Sequence, residues 1–251
     1  MSHDSSRRGA RPDSAPTGHA GPAGEPSLAD GPLHRSATVC EYFGEAYERV
    51  EAFAELLADQ GVLRGLIGPR EVPRLWERHI LNSAAVVPFL SSPSPMPRVS
   101  GTSARDSGVI VDIGSGAGLP GMVIAAMLPD RRIVLVEPME RRTTWLAEAS
   151  ERCGIENVTV VRGRAEEVSD VVEADVITAR AVASIDKLVK WSAPLLAPGG
   201  QMVLLKGRSA PDELERAKYV LRRYGLTGTV HAAPTIASVE PTTVVRLSRI
   251  S

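Results

Sequence analysis

Between Val109 and Gly121 the chain reads V-I-V-D-I-G-S-G-A-G-L-P-G. Asp112 lies near the end of a short apolar run, Gly114, Gly116 and Gly118 follow at alternate positions, and an apolar pattern with helical spacing begins behind them. Glycines in such a run let the backbone take positive φ and approach a ligand with no Cβ in the way. A buried strand turning this sharply into a helix fits over a nucleotide-like small molecule. As a bare strand–helix connection, the same run would cost backbone entropy with no packing return. Three further residues can do chemistry by type and place: Glu137 at the end of the next apolar run, Arg180 after a later one, and Lys206 at the end of another.

Two classes of small molecule compete for the glycine loop. Gly116-Ala-Gly118-Leu-Pro-Gly121 satisfies the G-x-G-x-x-G dinucleotide pattern, and Glu137 stands about twenty residues on, where the acid of an NAD site would sit. Asp112 argues against a dinucleotide, because it adds negative charge close to where a pyrophosphate would lie; it suits a ligand with an ammonium group. Leu195-Leu-Ala-Pro-Gly-Gly200 ahead of an apolar strand, with Lys206-Gly207 behind it, is a turn common in methyltransferases that use S-adenosylmethionine (SAM). Too few residues follow the last strands for the substrate domain of a dehydrogenase. Glu137 at a strand's carboxyl end then serves a ribose, the alternative being a merely solvated acid.

The elements that position these residues follow from patterning. Strands are expected at 109–113, 132–137, 158–162, 174–179 and 201–206, alternating with helices near 119–128, 140–153, 184–196 and 210–224. That alternation predicts an α/β fold with a mostly parallel, doubly wound sheet covered by helices on both faces. Two last strands, about 228–233 and 242–249, predict an antiparallel pair at one edge of a seven-stranded sheet. Ahead of the sheet, residues 37–90 read as a helical extension. Val39, Phe43, Ala46, Tyr47, Val50, Phe53, Ala54 and Leu57 recur near a 3.6-residue period and predict one helix ended by Gly61. A second helix is expected over about 72–90. Residues 1–36 are rich in Gly, Pro, Ser and Ala and predict a disordered extension. Residues 91–108, dense in Pro, Ser and Gly, predict a mobile linker, and 109–251 the cofactor-binding domain.

Composition narrows the function classes. The 251 residues carry a formal net charge of -1, so a globally basic nucleic-acid binder is not indicated, although a local basic face is compatible with it. Cys40 and Cys153 make no disulfide framework. No apolar run approaches the ~18 residues of a spanning helix, and no apolar segment follows Arg7, Arg8 and Arg11 to make a secretory signal. A cytoplasmic protein without membrane contact is expected. No metal-ligand spacing is present. Neither cysteine stands in a Pro-Cys context, which argues against the covalent route to 5-methylcytosine.

Asp112-Ile-Gly-Ser-Gly-Ala-Gly-Leu-Pro-Gly121, Arg164-Ala-Glu166, Thr178-Ala-Arg-Ala-Val-Ala183 and Lys206-Gly207 together resemble the glucose-inhibited division protein B family. Its members are bacterial methyltransferases of small-subunit ribosomal RNA, specific for N7 of one guanine in 16S rRNA. Arg78-His79-Ile-Leu-Asn-Ser83 resembles that family's motif ahead of the sheet, and the likeness spans about 38 to 250. The chain departs at Asn82, where many members have Asp, and at Arg141 and Arg142, where Lys is frequent.

The resemblance implies a class I methyltransferase fold with a Rossmann-like sheet, SAM as cofactor, 16S rRNA of the small ribosomal subunit as partner, and a monomer. It implies that Gly114, Ser115, Gly116 and Leu119 form the loop over SAM, with backbone amides after Gly114 close to the ligand. Glu137 would take the ribose, and Ala165 and Glu166 the adenine edge. Arg180 would touch cofactor or substrate, and Lys206 a phosphate or guanine O6; these two are the catalytic candidates. The alternatives are, for Arg180, a surface arginine paired with Asp186 or Glu173 and, for Lys206, a solvated lysine. Arg78 and His79 are candidate RNA contacts. Of the basic pairs Arg131-Arg132, Arg141-Arg142, Arg162 with Arg164, and Arg222-Arg223, those at the carboxyl edge of the sheet would form a positive rim for phosphates.

Overall fold

The computed structural model describes Leu33, residues 35–90 and residues 108–250. The extension expected over 1–36 and the linker expected over 91–108 lie outside the described residues, apart from Leu33, Arg35, Ser36 and Gly108.

Seven strands form one sheet: β1 (Val109–Ile113), β2 (Arg132–Glu137), β3 (Val158–Arg162), β4 (Ala174–Arg180), β5 (Leu196–Lys206), β6 (Leu226–Ala233) and β7 (Thr242–Arg249). Their spatial order is β3-β2-β1-β4-β5-β7-β6. β1 to β5 are parallel, and β7 pairs antiparallel with both β5 and β6. Side chains alternate between the faces with the period of two that a strand imposes. Ile110, Ile133, Val176 and Val203 enter one core, while Val111, Val134, Ile177 and Met202 enter the other. The first core is closed by α4 (Gly121–Met127) and α5 (Glu140–Arg152), the second by α6 (Ile185–Ser192) and α7 (Ala210–Arg223). Strand order reverses at β1, whose neighbours are β2 and β4. In open sheets of this kind, the crevice outside the carboxyl ends at that reversal is where ligands bind.

The segment ahead of the sheet is helical but more broken than its periodicity suggests. The single helix expected from Ala37 divides into α1 (Ala37–Phe43) and α2 (Tyr47–Gln60), because Gly44 takes φ 50 and ends α1. The helix expected over 72–90 is a series of short turns. A 3-10 stretch at Pro69–Arg74 contains Pro73, a π-helical turn covers Trp76–Leu81, α3 is only Asn82–Ala84, and a 3-10 turn at Val87–Phe89 contains Pro88. Proline has no N–H to donate and its ring clashes with the preceding turn, which stops a regular helix at both places. The apolar stripe survives the breaks: Val39, Val50, Phe53, Leu57, Trp76, Ile80 and Leu81 are buried in the same core as α4, α5 and one face of the sheet. The helical segment is therefore fixed against the sheet, and its polar side chains are held near the carboxyl end of β4.

Candidate active-site crevice

At the carboxyl ends of β1 to β4 a cavity of about 380 Å³ opens, within the roughly 300–1,000 Å³ of small-molecule sites. Each strand end contributes to its wall: Ile113 and Gly114 from β1, Glu137 from β2, Arg164, Ala165 and Glu166 from beyond β3, and Arg180 from β4.

Gly114, Gly116 and Gly118 all have positive φ, at 68, 54 and 100°. A Cβ on Gly114 would lie 2.7 Å from Val182 Cγ2, and one on Gly118 would lie 2.7 Å from Met122 Cγ and 3.0 Å from Phe53 Cζ. The first glycine thus brings the loop against the 181–182 turn, and the third brings it against α2. Three amides at the start of the loop are partnered within the protein. Those of Gly114 and Ser115 donate to the Val136 carbonyl at 2.8 and 3.2 Å, and that of Gly116 donates to Glu137 Oε2 at 3.0 Å. They tie the loop to β2. Ser115 is buried with its Oγ donating to the Asp112 carbonyl at 2.9 Å, and Leu119 is in the core. Of the four loop residues assigned to the cofactor, Gly114 lines the crevice; Ser115, Gly116 and Leu119 do not.

Asp112 also departs from its expected place. It is fully buried beneath the loop, not presented to an ammonium group. Its Oδ2 accepts from the Gly121 amide at 3.1 Å, and Oδ1 has no hydrogen-bond partner among the described residues. Burial pushes this carboxyl up to about 7, opposed by Ser115, the Gly121 amide and the charge of Arg180, and aided by Glu137. The native state therefore holds a proton that the unfolded chain releases near 3.8, so this group's contribution is full below that value and is lost as pH rises through about 7. Asp112→Asn keeps an oxygen for Gly121 and cannot ionise. Its melting temperature relative to wild type is expected to rise from about pH 4 to about pH 8. Calorimetry across that range checks this; a constant difference would mean the carboxyl is ionised throughout.

Glu137 sits where the sequence puts it. It is 2% exposed, lines the crevice, and accepts from the Met139 amide on Oε1 and the Gly116 amide on Oε2, both at 3.0 Å. Arg142 Nη1 stands 3.8 Å from Oε2. A carboxylate oxygen can accept twice, so each oxygen keeps capacity for a ligand hydroxyl. Ala165, on the 3-10 turn Ala165–Glu167, is a buried wall residue whose small side chain leaves room, and Glu166 beside it is exposed. Sequence reasoning missed the apolar part of the wall: Val136, Met139, Val182 and Trp191. Met139 and Val182 lie just past strand ends and could have been found by that rule; Trp191, on α6, carries no local signal.

Arg180 is the last residue of β4 and lines the crevice. Its partners are neither Asp186 nor Glu173. Nη1 donates to the Arg78 carbonyl at 3.3 Å and to Asn82 Oδ1 at 3.2 Å, and Nη2 lies 2.9 Å from His79 Nδ1. Burial lowers the guanidinium to about 10, against the opposing charges of Asp112 and Glu71, so it remains a cation at neutral pH. The next residue, Ala181, takes φ 55, a left-handed conformation that costs an L residue about 1–2 kcal/mol. Lys206 is not brought to the crevice. Its Nζ donates to the Ala183 carbonyl at 2.8 Å and lies 2.7 Å from Glu213 Oε2, with only 10% of the side chain exposed. It pins the 181–184 turn to α7, where a catalytic position was expected.

Of the basic pairs, Arg142 and Arg164 line the crevice and Arg162 ends β3, paired with Glu140 at 3.0 Å. Arg131 and Arg132 lie at the start of β2 and Arg222 and Arg223 at the end of α7, on the opposite edge of the sheet. The positive rim is confined to the first group.

Comparison with known proteins bears on what the crevice serves. The family model described as GidB, rRNA small subunit methyltransferase G, matches residues 46–230. A protein of Thermobifida fusca (strain YX) named Ribosomal RNA small subunit methyltransferase G is 49% identical over 183 residues, 73% of this chain and 71% of its own length. One of the same name from Rhodococcus jostii (strain RHA1) is 46% identical over 232 residues, 90% of this chain and 93% of its own. Among solved structures, that of NSun6 from Pyrococcus horikoshii with SFG covers 70% of this chain and 52% of its own at a TM-score of 0.50 and 16% identity, a likeness of fold alone.

Proposed function

The chain belongs to the rRNA small subunit methyltransferase G family, as an rRNA methyltransferase with the class I fold, and from that premise we propose that it moves the methyl group of SAM to N7 of one guanine in 16S rRNA. The observation that carries this reading is the convergence of Gly114, Glu137, Ala165 and Arg180 on one crevice at the reversal of strand order. These residues fit the cofactor. Glu137 keeps acceptor capacity for two ribose hydroxyls, Ala165 leaves space for an adenine ring, and Gly114 has no side chain to keep a ligand off. When bound, SAM supplies an electrophilic methyl on a positively charged sulfur.

What remains for the chain is positioning. Guanine N7 is already an acceptor lone pair, so no general base is required to free it. Holding the base in line with the methyl then supplies most of the rate. A cation aimed at N7 would withdraw the lone pair that attacks, so Arg180 orients substrate or cofactor through other atoms. Arg142 and Arg164 on the rim meet RNA phosphates, and the target guanine is unstacked or in an open loop when it enters. The same reading gives the small ribosomal subunit as partner and the cytoplasm as compartment. Among the described residues no helix is long and apolar enough to cross a membrane.

The test is transfer of labelled methyl from SAM to naked 16S rRNA, to small subunits and to assembled ribosomes, with the product mapped. Label at one guanine N7 in any of the three is expected. No incorporation into any of them, or label on another atom, overturns the reading.

A further inference from the structure

Side chains of the helical segment converge on Arg180, although none of them lines the crevice. His79 Nδ1 is 2.9 Å from Nη2, and Asn82 Oδ1 is 3.2 Å from Nη1. Behind the imidazole, Glu71 Oε2 lies 2.7 Å from His79 Nε2. The tautomer follows from the partners. A guanidinium only donates, so Nδ1 accepts, and the ring proton sits on Nε2, where Glu71 receives it. The result is a line from Glu71 through neutral His79 to the arginine in the crevice wall.

We propose that Glu71, His79 and Asn82 are positioning residues for methyl transfer, acting through Arg180, with His79 competent only as a neutral acceptor. The proposal rests on the reading of the crevice as the site of methyl transfer. An arginine carries five N–H donors. Both on Nη1 are taken, by the Arg78 carbonyl and Asn82, and one on Nη2 is taken by His79. The Nε–H and one Nη2–H have no partner among the described residues, and they belong to a side chain that lines the crevice. A long side chain left free would lose its rotamer freedom each time it aligned a ligand. Here that ordering is done on folding, and the side chain that carries the free donors is held in place in advance. The local backbone points the same way. Arg78 and His79 lie in the π-helical turn Trp76–Leu81, and such turns are rare and cluster at functional sites.

Protonation undoes the arrangement. An imidazolium would present a donor to a donor at Nδ1 and add positive charge between Arg180 of β4 and Arg78 of its own turn; Glu71 of the preceding 3-10 turn is the facing acid, and Asp112 lies beneath Arg180. Burial, Arg180 and Arg78 hold the imidazole below its usual range, with Glu71 opposing. Activity therefore has an acid limb set by His79.

The experiment compares wild type, His79→Ala and His79→Asn in single-turnover methyl transfer to small subunits across pH, with melting curves of each. Asparagine Oδ1 can stand where Nδ1 does and does not titrate. We expect His79→Ala to lose at least about tenfold in kcat/KM near neutral pH, and His79→Asn to recover most of it with the acid limb flattened. Wild-type transfer by His79→Ala overturns the proposal. So does His79→Asn no more active than His79→Ala at any pH, the signature of a purely structural role. Wild type is read first: no transfer to small subunits, naked 16S rRNA or assembled ribosomes overturns the proposed function and this inference with it, and where wild type labels one of the other two, the variants are compared on that substrate.

Discussion

Arg180→Ala is expected to lower methyl transfer by about a thousandfold while the protein stays folded at assay temperature. Removing one preorganised polar group from an active site commonly costs about 10²–10³ in rate, and Arg180 serves both to face the crevice and to lock the helical segment against β4. The strand does not depend on the guanidinium for its place. Val176, Ile177 and Ala179 are buried on its two faces, and β4 pairs with β1 and β5. The variant leaves Asn82 Oδ1 and His79 Nδ1 without their donor, at about 1–3 kcal/mol if water does not reach them. In a domain of this size each kcal/mol lowers the melting temperature by roughly 2–4 °C, so a drop of a few degrees accompanies a far larger loss of rate. Arg180→Lys recovers little, because an ammonium is a point charge that cannot hold three acceptors in a fixed plane. Single-turnover transfer alongside a melting curve checks both halves. Wild-type turnover in Arg180→Ala would reduce the arginine to a structural tie.

The fold was legible because each strand is a short apolar run bounded by turn residues, and the alternation of runs and helical stretches leaves few arrangements. Site residues were legible where one rule applies, that a parallel sheet binds at the carboxyl ends of its strands. Gly114, Glu137, Ala165 and Arg180 all follow from it and all line the crevice. The same rule does not bring Lys206 into the crevice. That residue does end β5, but Glu213 on α7 captures it, and a pairing across a strand–helix turn leaves no mark in the spacing. Ser115, Gly116 and Leu119 do not line the crevice, for a different reason. In a loop with this many positive-φ residues, neighbours in sequence point in unrelated directions, so membership of the motif does not say which residue meets the ligand. Asp112 shows the cost of reading charge without burial. A carboxyl taken for a ligand group proves to be a buried clamp on the first turn of α4. In the helical segment periodicity ran straight through Pro73 and Pro88, and spacing gave no sign that His79 and Asn82 would reach Arg180 at the end of β4.

Gly114→Asp is expected to weaken SAM binding at least about a hundredfold with the fold retained; each tenfold is about 1.4 kcal/mol. Asp is among the residues that best tolerate the left-handed region, so the φ of 68° is a modest obstacle. The Cβ would stand 2.7 Å from Val182 Cγ2, but Val182 is 37% exposed and on a turn, free to give way. Neither effect unfolds the sheet. Inside the crevice, charge and volume oppose one another, since a carboxylate attracts a sulfonium while filling the space the ligand needs. Volume decides. Val182 already crowds the Cβ, so the carboxylate turns into the cavity of about 380 Å³, towards a wall that carries the buried acid Glu137. Gly114→Ala separates the terms, because it keeps the crowding of Val182 without the carboxylate, and is expected to bind between wild type and Gly114→Asp. Titration calorimetry with SAM, and circular dichroism for the fold, decide it. Undiminished affinity in Gly114→Asp would remove the glycine loop from the cofactor site and leave Glu137 without the ligand that its free acceptor positions imply.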